Sequence, residues 1–367
     1  MRVGIIGGGQ LAMMLAEAAK KLEIETIVLD PNPECSASFV CDELIVADYD
    51  SLESLKKLAE KCDVVTYEFE NVDVECINQI NEQYQNVVQT TKPLTLSNDR
   101  LVEKEAAESS GFSPAPFANV KTESDIKLFG AEHGYPLVIK TRRFGYDGKG
   151  QFVIKTESDI TSLDVTSIIN QGAVVEKMID LDYEQSVIVI RNLKGEMRLI
   201  PSPINCHVNN ILFTSTIKNP SVDKRVTNLV SKYISYHDLV GIITVEVFVA
   251  KDGSIYFNEI APRPHNSGHY SIEGCNHSQF DMHLRAICNL PMPEVEFTDV
   301  TMMINVLGQD YQFAKDWYQE HKSDGLYFHD YFKQEPKHNR KMAHITAVGN
   351  QVEKLNEYKL VIKERNE

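Results

Sequence analysis

The chain has 367 residues, 43% of them apolar and 25% charged, ordinary proportions for a globular protein long enough to build two or three cores. A formal charge of −16 excludes a general binder of nucleic acid or of an anionic membrane, because Lys and Arg supply that affinity. The seven cysteines are odd in number, scattered and without a C-x-x-C pair, which excludes a disulfide framework and a cysteine zinc site. Met1-Arg2 leads directly into an apolar strand with no signal core, and charges interrupt the later apolar stretches before about 18 residues, so a cytoplasmic location is expected.

Residues 1–97 alternate short apolar runs with amphipathic ones. Strands are predicted at 3–6, 26–29, 43–46, 64–67 and 87–89 and helices at 10–21, 52–61 and 74–83, the β-α-β order of a parallel, doubly wound Rossmann-like domain. Gly7, Gly9 and Ala12 satisfy G-x-G-x-x-G/A and Asp30 ends the next strand, so an NAD-dependent oxidoreductase is one reading. A glycine turn at a helix N-terminus also holds any phosphate or carboxylate, and glycine here can serve packing alone.

A helix over 98–110, ending at Gly111, and a Pro-punctuated crossing open a strand-rich region that extends to residue 290. Within it a strand ends at Lys140, and a loop with Gly145, Gly148 and Gly150 precedes the next strand. Glycines let backbone N–H groups close over phosphates beside a lysine point charge, although the G-K-S/T ending of a Walker loop is missing. Residues 174–184 run from an apolar strand into an acidic link that could meet a purine edge and ribose hydroxyls, or be plain surface. Asp252-Gly253 between alternating apolar runs predicts a two-residue hairpin turn in which partner numbers sum to 505 and Glu246 lies opposite Glu259. Like charges facing each other destabilise a sheet, whereas two carboxylates plus Asn258 form an oxygen set of the kind Mg²⁺ uses with nucleotide phosphates. Arg263, His265 and Asn266 follow directly. Pro291 and Pro293 mark the start of a small, β-rich tail, residues 291–367.

In order and approximate spacing, Lys140, the glycine-rich flap, the 176–179 link and the Glu246/Asn258-Glu259 set resemble the ATP-grasp superfamily. Within it, G-G-G-Q-L at the start, T-Y-E-F-E-N-V at 66–72, G-Y-D-G-K-G-Q at 145–151, N-E-I-A-P-R-P-H-N-S-G-H at 258–269 and R-K-M-A-H-I at 340–345 resemble the 5-(carboxyamino)imidazole ribonucleotide synthases over essentially the whole chain. The resemblance implies an α/β fold of three parts: a preATP-grasp domain over 1–97, an ATP-grasp domain over 98–290 and a C-terminal domain over 291–367. It implies an ATP-dependent ligase joining bicarbonate, through carboxyphosphate, to 5-aminoimidazole ribonucleotide in purine biosynthesis, with Mg²⁺ or Mn²⁺ as cofactor and a homodimer as the assembly.

By the same resemblance the nucleotide contacts are Arg100, Lys140, Gly145, Tyr146, Asp147, Gly148, Lys149, Gly150, Gln151, Glu176, Lys177, Met178, Ile179, Glu184, His207, Asn258 and Glu259, and the metal ligands are Glu246 and Glu259. Arg263, Asn266 and Lys140 are the catalytic candidates. Gly9, Gln10 and Glu70 would face the aminoimidazole nucleotide, and Lys333, Arg340 and Lys341 its 5′-phosphate, with the Gly7–Gln10 helix end as the alternative phosphate site. Phe144 and Ala343 stand where that family commonly has Gly. Another ATP-grasp ligase, of the formate-dependent glycinamide ribonucleotide transformylase or biotin carboxylase kind, and a silent nucleotide-binding subunit remain alternatives.

Overall fold

The computed structural model describes residues 1–143, 150–218 and 223–366. Four parallel strands, β1 (Arg2–Ile6), β2 (Glu25–Asp30), β3 (Glu43–Val46) and β4 (Val64–Tyr67), form a sheet in the order β3-β2-β1-β4. Both faces are covered, as near-continuous apolar strands require. Val3 and Ile5 pack with the helix Gln10–Lys21, whereas Ile6, Leu29 and Val65 pack with the helices Leu52–Lys61 and Val74–Tyr84.

The strand expected at 87–89 does not form. Val65 N–H reaches back to the Asn86 carbonyl, but the chain then turns, with Thr90 N–H bonded to Val87 O and Thr90 at φ 58°. Gln89 is turned inward instead. Its Oε1 accepts from the Thr66 hydroxyl at 2.5 Å, and its Nε2 donates to the Pro262 carbonyl at 3.3 Å. Thr66 also meets His283 Nε2 at 3.1 Å, and His283 Nδ1 accepts from Ile242 N–H, so the ring proton lies on Nε2 and this buried relay ties β4 to the central sheet.

A second sheet, in the order β5-β8-β6-β7, comprises β5 (Phe117–Val120), β6 (Leu137–Thr141), β7 (Gln151–Ile154) and β8 (Ala173–Lys177) and is antiparallel throughout. The expected helix before it is Arg100–Ser110, capped by Asp99 and stopped at Gly111, whose φ of 80° suits glycine.

The third sheet has the order β14-β13-β9-β11-β12-β15-β17-β16, with β10 beside β9. Its members are β9 (Leu181–Arg191), β10 (Met197–Ile200), β11 (Ile204–Val208), β12 (Ile211–Ile217), β13 (Gly241–Ala250), β14 (Ile255–Ala261), β15 (Thr301–Leu307), β16 (Leu326–Asp330) and β17 (Lys341–Val348). The tail therefore extends this sheet, through the β12–β15 ladder from Thr214↔Ile304 to Ile217↔Thr301, and adds the helices Tyr311–His321 and Gln351–Asn366. Among the described residues no helix is long and apolar enough to cross a membrane.

The β13–β14 hairpin places Glu246 opposite Glu259 as expected, though by a different route. Partners near the turn, Val249↔Ile255 and Phe248↔Tyr256, sum to 504, so the loop is the longer three-residue kind, with Gly253 at φ 81°. A bulge between Glu246 and Val247, where Asn258 is the extra residue, returns the sum to 505 at the glutamate pair.

Candidate active site

Glu246 and Glu259 face each other within the β13–β14 ladder, on the sheet face that also carries Glu184 and His207. Burial and the facing Glu259 charge push Glu246 up to about 8, and His265 Nε2 stands 3.6 Å from its Oε1. His265 is itself held well below the ordinary histidine range by burial and by Arg263, so it is a neutral neighbour and not a counter-ion. Among the described residues no three His, Cys, Asp or Glu groups converge as a metal cage. Two carboxylates and an amide instead suit Mg²⁺, which takes one or two protein carboxylates together with phosphate oxygens. Repulsion within the pair is the physical sign that the set fits a cation.

Across the gap toward the second sheet, Glu176 sits between two ammonium groups, Lys104 Nζ at 3.1 Å and Lys140 Nζ at 3.1 Å. Burial opposes its charge, but the two lysines outweigh burial and hold Glu176 down to about 2. Lys104 is almost fully buried, and its Nζ also approaches the Asn258 carbonyl at 3.5 Å, joining the two carboxylate centres. Burial depresses Lys104 despite Glu176; the two short contacts favour the ionised pair. Its neighbour Glu103 accepts from Ile260 N–H at 2.6 Å and is pushed well up by burial and by Glu259. Lys104 and Glu103 were absent from the sequence-based site, because a lysine in a helix 72 positions before its partner leaves no local signal.

Arg100 donates to the Thr141 carbonyl at 2.8 Å, and Arg142 forks onto Asp99 at 2.9 and 2.7 Å, so both are tied to the flap's base. Thr141 N–H bonds Gly150 O, and Gln151 pairs with Lys140. Phe144, Gly145, Tyr146, Asp147, Gly148 and Lys149 lie outside the described residues. At the link, Lys177 N–H and Met178 N–H are spent on the Pro116 and Pro136 carbonyls, while Lys177 Nζ reaches Gly134 O at 3.1 Å, away from the carboxylates. Glu184 and His207 form a 2.7 Å pair in which Glu184 raises the imidazole despite burial.

Arg263 forks onto Glu70, with Nη2 3.1 Å from Oε1. Burial raises Glu70, but Arg263 outweighs it and leaves the carboxylate below its ordinary range. Asn266 exchanges reciprocal hydrogen bonds with Asn305, at 3.0 and 2.6 Å.

A cavity of about 530 Å³ beside this centre is lined by Gly8, Gly9, Asp30, Glu68, Lys333 and Arg340, among others. Lys333 donates to the Lys341 carbonyl at 2.8 Å, and burial with the Arg340 charge holds it down to about 8. Lys341 does not line this cavity. Its charge acts on Lys333 as well as on Glu246, His207 and His265, so it stands between this cavity and the carboxylate pair. At the Gly7–Gln10 helix end, Glu68 accepts from Gly9 N–H at 2.5 Å and Ala12 N–H at 2.9 Å, so a carboxylate already takes two of the donors that the alternative phosphate site would use. Glu68 was missed in the sequence, as was the reason for Gly9, where a Cβ would stand 2.6 Å from the Glu68 carboxylate. Asp30 is spent on Gly8 N–H, Asn32 N–H and the Tyr49 hydroxyl, so neither half of the dinucleotide fingerprint faces a ligand in the way that reading needs. Ala343 is buried in the tail core with Ile304 and Leu355, where its methyl packs.

Family models match along the chain in three blocks: a ribonucleotide synthetase preATP-grasp domain over 1–98, an ATP-grasp domain over 105–280 and a phosphoribosylaminoimidazole carboxylase C-terminal domain over 301–358. The N5-carboxyaminoimidazole ribonucleotide synthase of Staphylococcus aureus (strain COL) is 40% identical over 353 residues, 95% of this chain and 93% of that one. The Bacillus subtilis enzyme of the same name is 38% identical over 94% of this chain and 90% of its own. The Staphylococcus aureus N5-carboxyaminoimidazole synthetase complexed with ADP superposes with a TM-score of 0.92 at 39% identity, over 98% of this chain and 96% of that one. The Aspergillus clavatus synthase, in complex with ADP and 5-aminoimidazole ribonucleotide, gives 0.86 at 29% identity, over 95% and 94%.

Proposed function

From the premise that the chain belongs to the N5-carboxyaminoimidazole ribonucleotide synthases, we infer how its own residues divide the work of that ATP-grasp ligase. The chain is an enzyme of ATP-dependent carboxylation of aminoimidazole ribonucleotide in purine biosynthesis. Bicarbonate as the carbon source, carboxyphosphate as the activated form, Mg²⁺ as cofactor, a homodimer and a cytoplasmic location belong to the proposal.

Bicarbonate is a poor electrophile at neutral pH, and transfer of a phosphoryl group gives it a leaving group that the exocyclic amine can displace. Glu246 and Glu259, with Asn258, would hold Mg²⁺, which when bound neutralises charge on the nucleotide phosphates. Lys140 supplies a second cation on the opposite wall, fixed in place by Glu176, and Glu184 with His207 lines the nucleotide side. Arg263 is aimed by its fork onto Glu70 and, with Asn266, would receive bicarbonate and its phosphorylated form next to the amine. Lys333 and Arg340 would take the 5′-phosphate, because they are the cations that line this cavity and Glu68 already takes two of the helix-end N–H groups. Preorganised charges of this kind lower the barrier by being in place before charge develops.

The observation that carries this reading is the opposed, part-buried Glu246–Glu259 pair just before Arg263 in the chain, a geometry that an oxidoreductase leaves without purpose. The test is ADP release at fixed bicarbonate, with and without 5-aminoimidazole ribonucleotide, followed by product analysis with labelled bicarbonate and labelled formate. Label entering the product from bicarbonate, with ribonucleotide-stimulated ADP release, is expected. Incorporation of formate instead would transfer the chain to the transformylase reading.

A further inference from the structure

The reverse face of the central sheet carries a second cavity, about 500 Å³ in volume, that none of the roles above uses. Strand alternation separates it from the nucleotide. Glu184 and His207 point to the reaction, while their strand neighbours Gln185 and Cys206 line this cavity, with Thr214 and Thr216 of β12 beside them. One wall is the helix Gln351–Asn366, through Asn356 and Lys359, and the other is the end of β12 at Lys218.

Its lining is unsatisfied in a specific way. Gln185 and Ser202 are each only 6% exposed, and neither Gln185 Oε1 nor Ser202 Oγ has a hydrogen-bond partner among the described residues. A buried polar group left unpaired costs about 1–3 kcal/mol, so such groups usually answer to a ligand or an ordered water. Lys218 and Lys359 both edge the cavity in a chain of net charge −16, and neither has an acidic partner within salt-bridge distance among the described residues. Asp223 is also at the rim, but Arg225 forks onto it at 2.9 and 2.6 Å and takes up its charge. Burial and the ammonium groups of Lys363 and Lys218 hold Lys359 below the ordinary lysine range, a penalty that an anion would relieve.

We propose that this cavity is a second binding site, for a nucleoside monophosphate. Its phosphate meets Lys218 and Lys359, a base-edge N–H donates to Gln185 Oε1, and a ribose hydroxyl meets Ser202. The volume lies within the range of small-molecule sites. Because Gln185 and Cys206 adjoin Glu184 and His207 in the same two strands, occupancy reaches ATP affinity and leaves the ribonucleotide site alone.

The probe is radiolabelled GMP, whose N1–H and 2-amino groups supply the donor edge, in equilibrium dialysis against the full chain saturated with MgADP and 5-aminoimidazole ribonucleotide. One equivalent is expected to bind, tenfold or more weakly in the Lys218→Ala/Lys359→Ala double variant and in Gln185→Leu, and unchanged in Arg340→Ala. GMP should raise KM for ATP in the wild type and have no such effect in the double lysine variant. Absence of binding at millimolar GMP, displacement by excess ADP or ribonucleotide, or binding retained by the double lysine variant overturns the site. The two lysines stand at the cavity rim, so the test holds whether or not Gln185→Leu folds. An ATP KM that GMP leaves unmoved in the wild type overturns the coupling.

Discussion

Two carboxylate centres face each other across the nucleotide cleft, and they are built oppositely. Glu176 is neutralised within the protein by Lys104 and Lys140, whereas Glu246 meets another carboxylate and a neutral histidine. The first centre is neutralised within the protein and fixes Lys140; in the second, His207 and Lys341 offset only part of what burial and Glu259 do to Glu246, the imbalance on which the proposed cation site rests. Charge left unpaired where the fold could have paired it marks the ligand's place, and charge paired at depth marks the frame that holds it.

Removing a member of the paired centre should cost the most. Lys104→Met leaves the buried Glu176 short of one of its two counter-ions, and a loss of about 3–5 kcal/mol of unfolding free energy is expected by denaturant titration. An unaltered midpoint would mean that Lys140 alone satisfies Glu176. The unpaired centre predicts the reverse pattern. Glu259→Gln should lose about a hundredfold or more in Mg²⁺-dependent turnover, since even groups that merely orient a metal ligand cost 10–100-fold, while the ligand-free protein keeps or gains thermal stability. The sign follows from Glu246, whose folded pKa is raised above the unfolded 4.5. Its contribution to stability is full below pH 4.5 and is lost as pH rises toward its folded value, so relief by Glu259→Gln should be largest near pH 8. Turnover that survives at limiting Mg²⁺ would remove the metal from this pair.

A third place, where the like charges of Lys333 and Arg340 meet, extends the comparison to cations proposed to await an anion. Arg340→Ala should weaken 5-aminoimidazole ribonucleotide by about 1.5–3 kcal/mol, roughly ten- to a hundredfold, with ATP affinity barely moved. Equal damage to both substrates in steady-state kinetics would place the 5′-phosphate elsewhere. The smallest effect is one of pH. Lys333 is held down to about 8 by burial and by Arg340, so the free site loses a positive charge above that pH. KM for the ribonucleotide should be flat from pH 7 to 7.5 and rise severalfold by pH 9, and Lys333→Arg should flatten the rise.

The sequence carried the frame of this site better than its interior. The helices Gln10–Lys21 and Leu52–Lys61 and the strands Glu43–Val46 and Val64–Tyr67 lie where the local pattern puts them, short apolar runs alternating with amphipathic ones. The stretch 87–89 reads as a strand by residue type alone, yet Gln89 is recruited to Thr66 and Pro262, a tertiary demand that local pattern does not encode. The Glu246–Glu259 register came out right although the turn is one residue longer than Asp-Gly implies, since the bulge at Asn258 takes that residue back. Lys104 gave no local signal, and Glu68, though inside the 66–72 motif, gave none of its role, because their partners are remote, Glu176 for one and the Gly9–Ala12 helix end for the other.

The β12–β15 ladder has a practical meaning for anyone who would cut or graft this chain. Prolines at 291 and 293 invite a break between the catalytic region and the tail, but the hydrogen bonds from Thr214 to Ile217 run straight across it. A fragment ending near residue 290 would present β12 as a bare edge of unpaired backbone groups, with Phe213 stripped of its partners Met302 and Ile304. Such an edge recruits other chains. A tail borrowed from a relative would therefore have to match this one strand for strand before any of its side chains mattered at all.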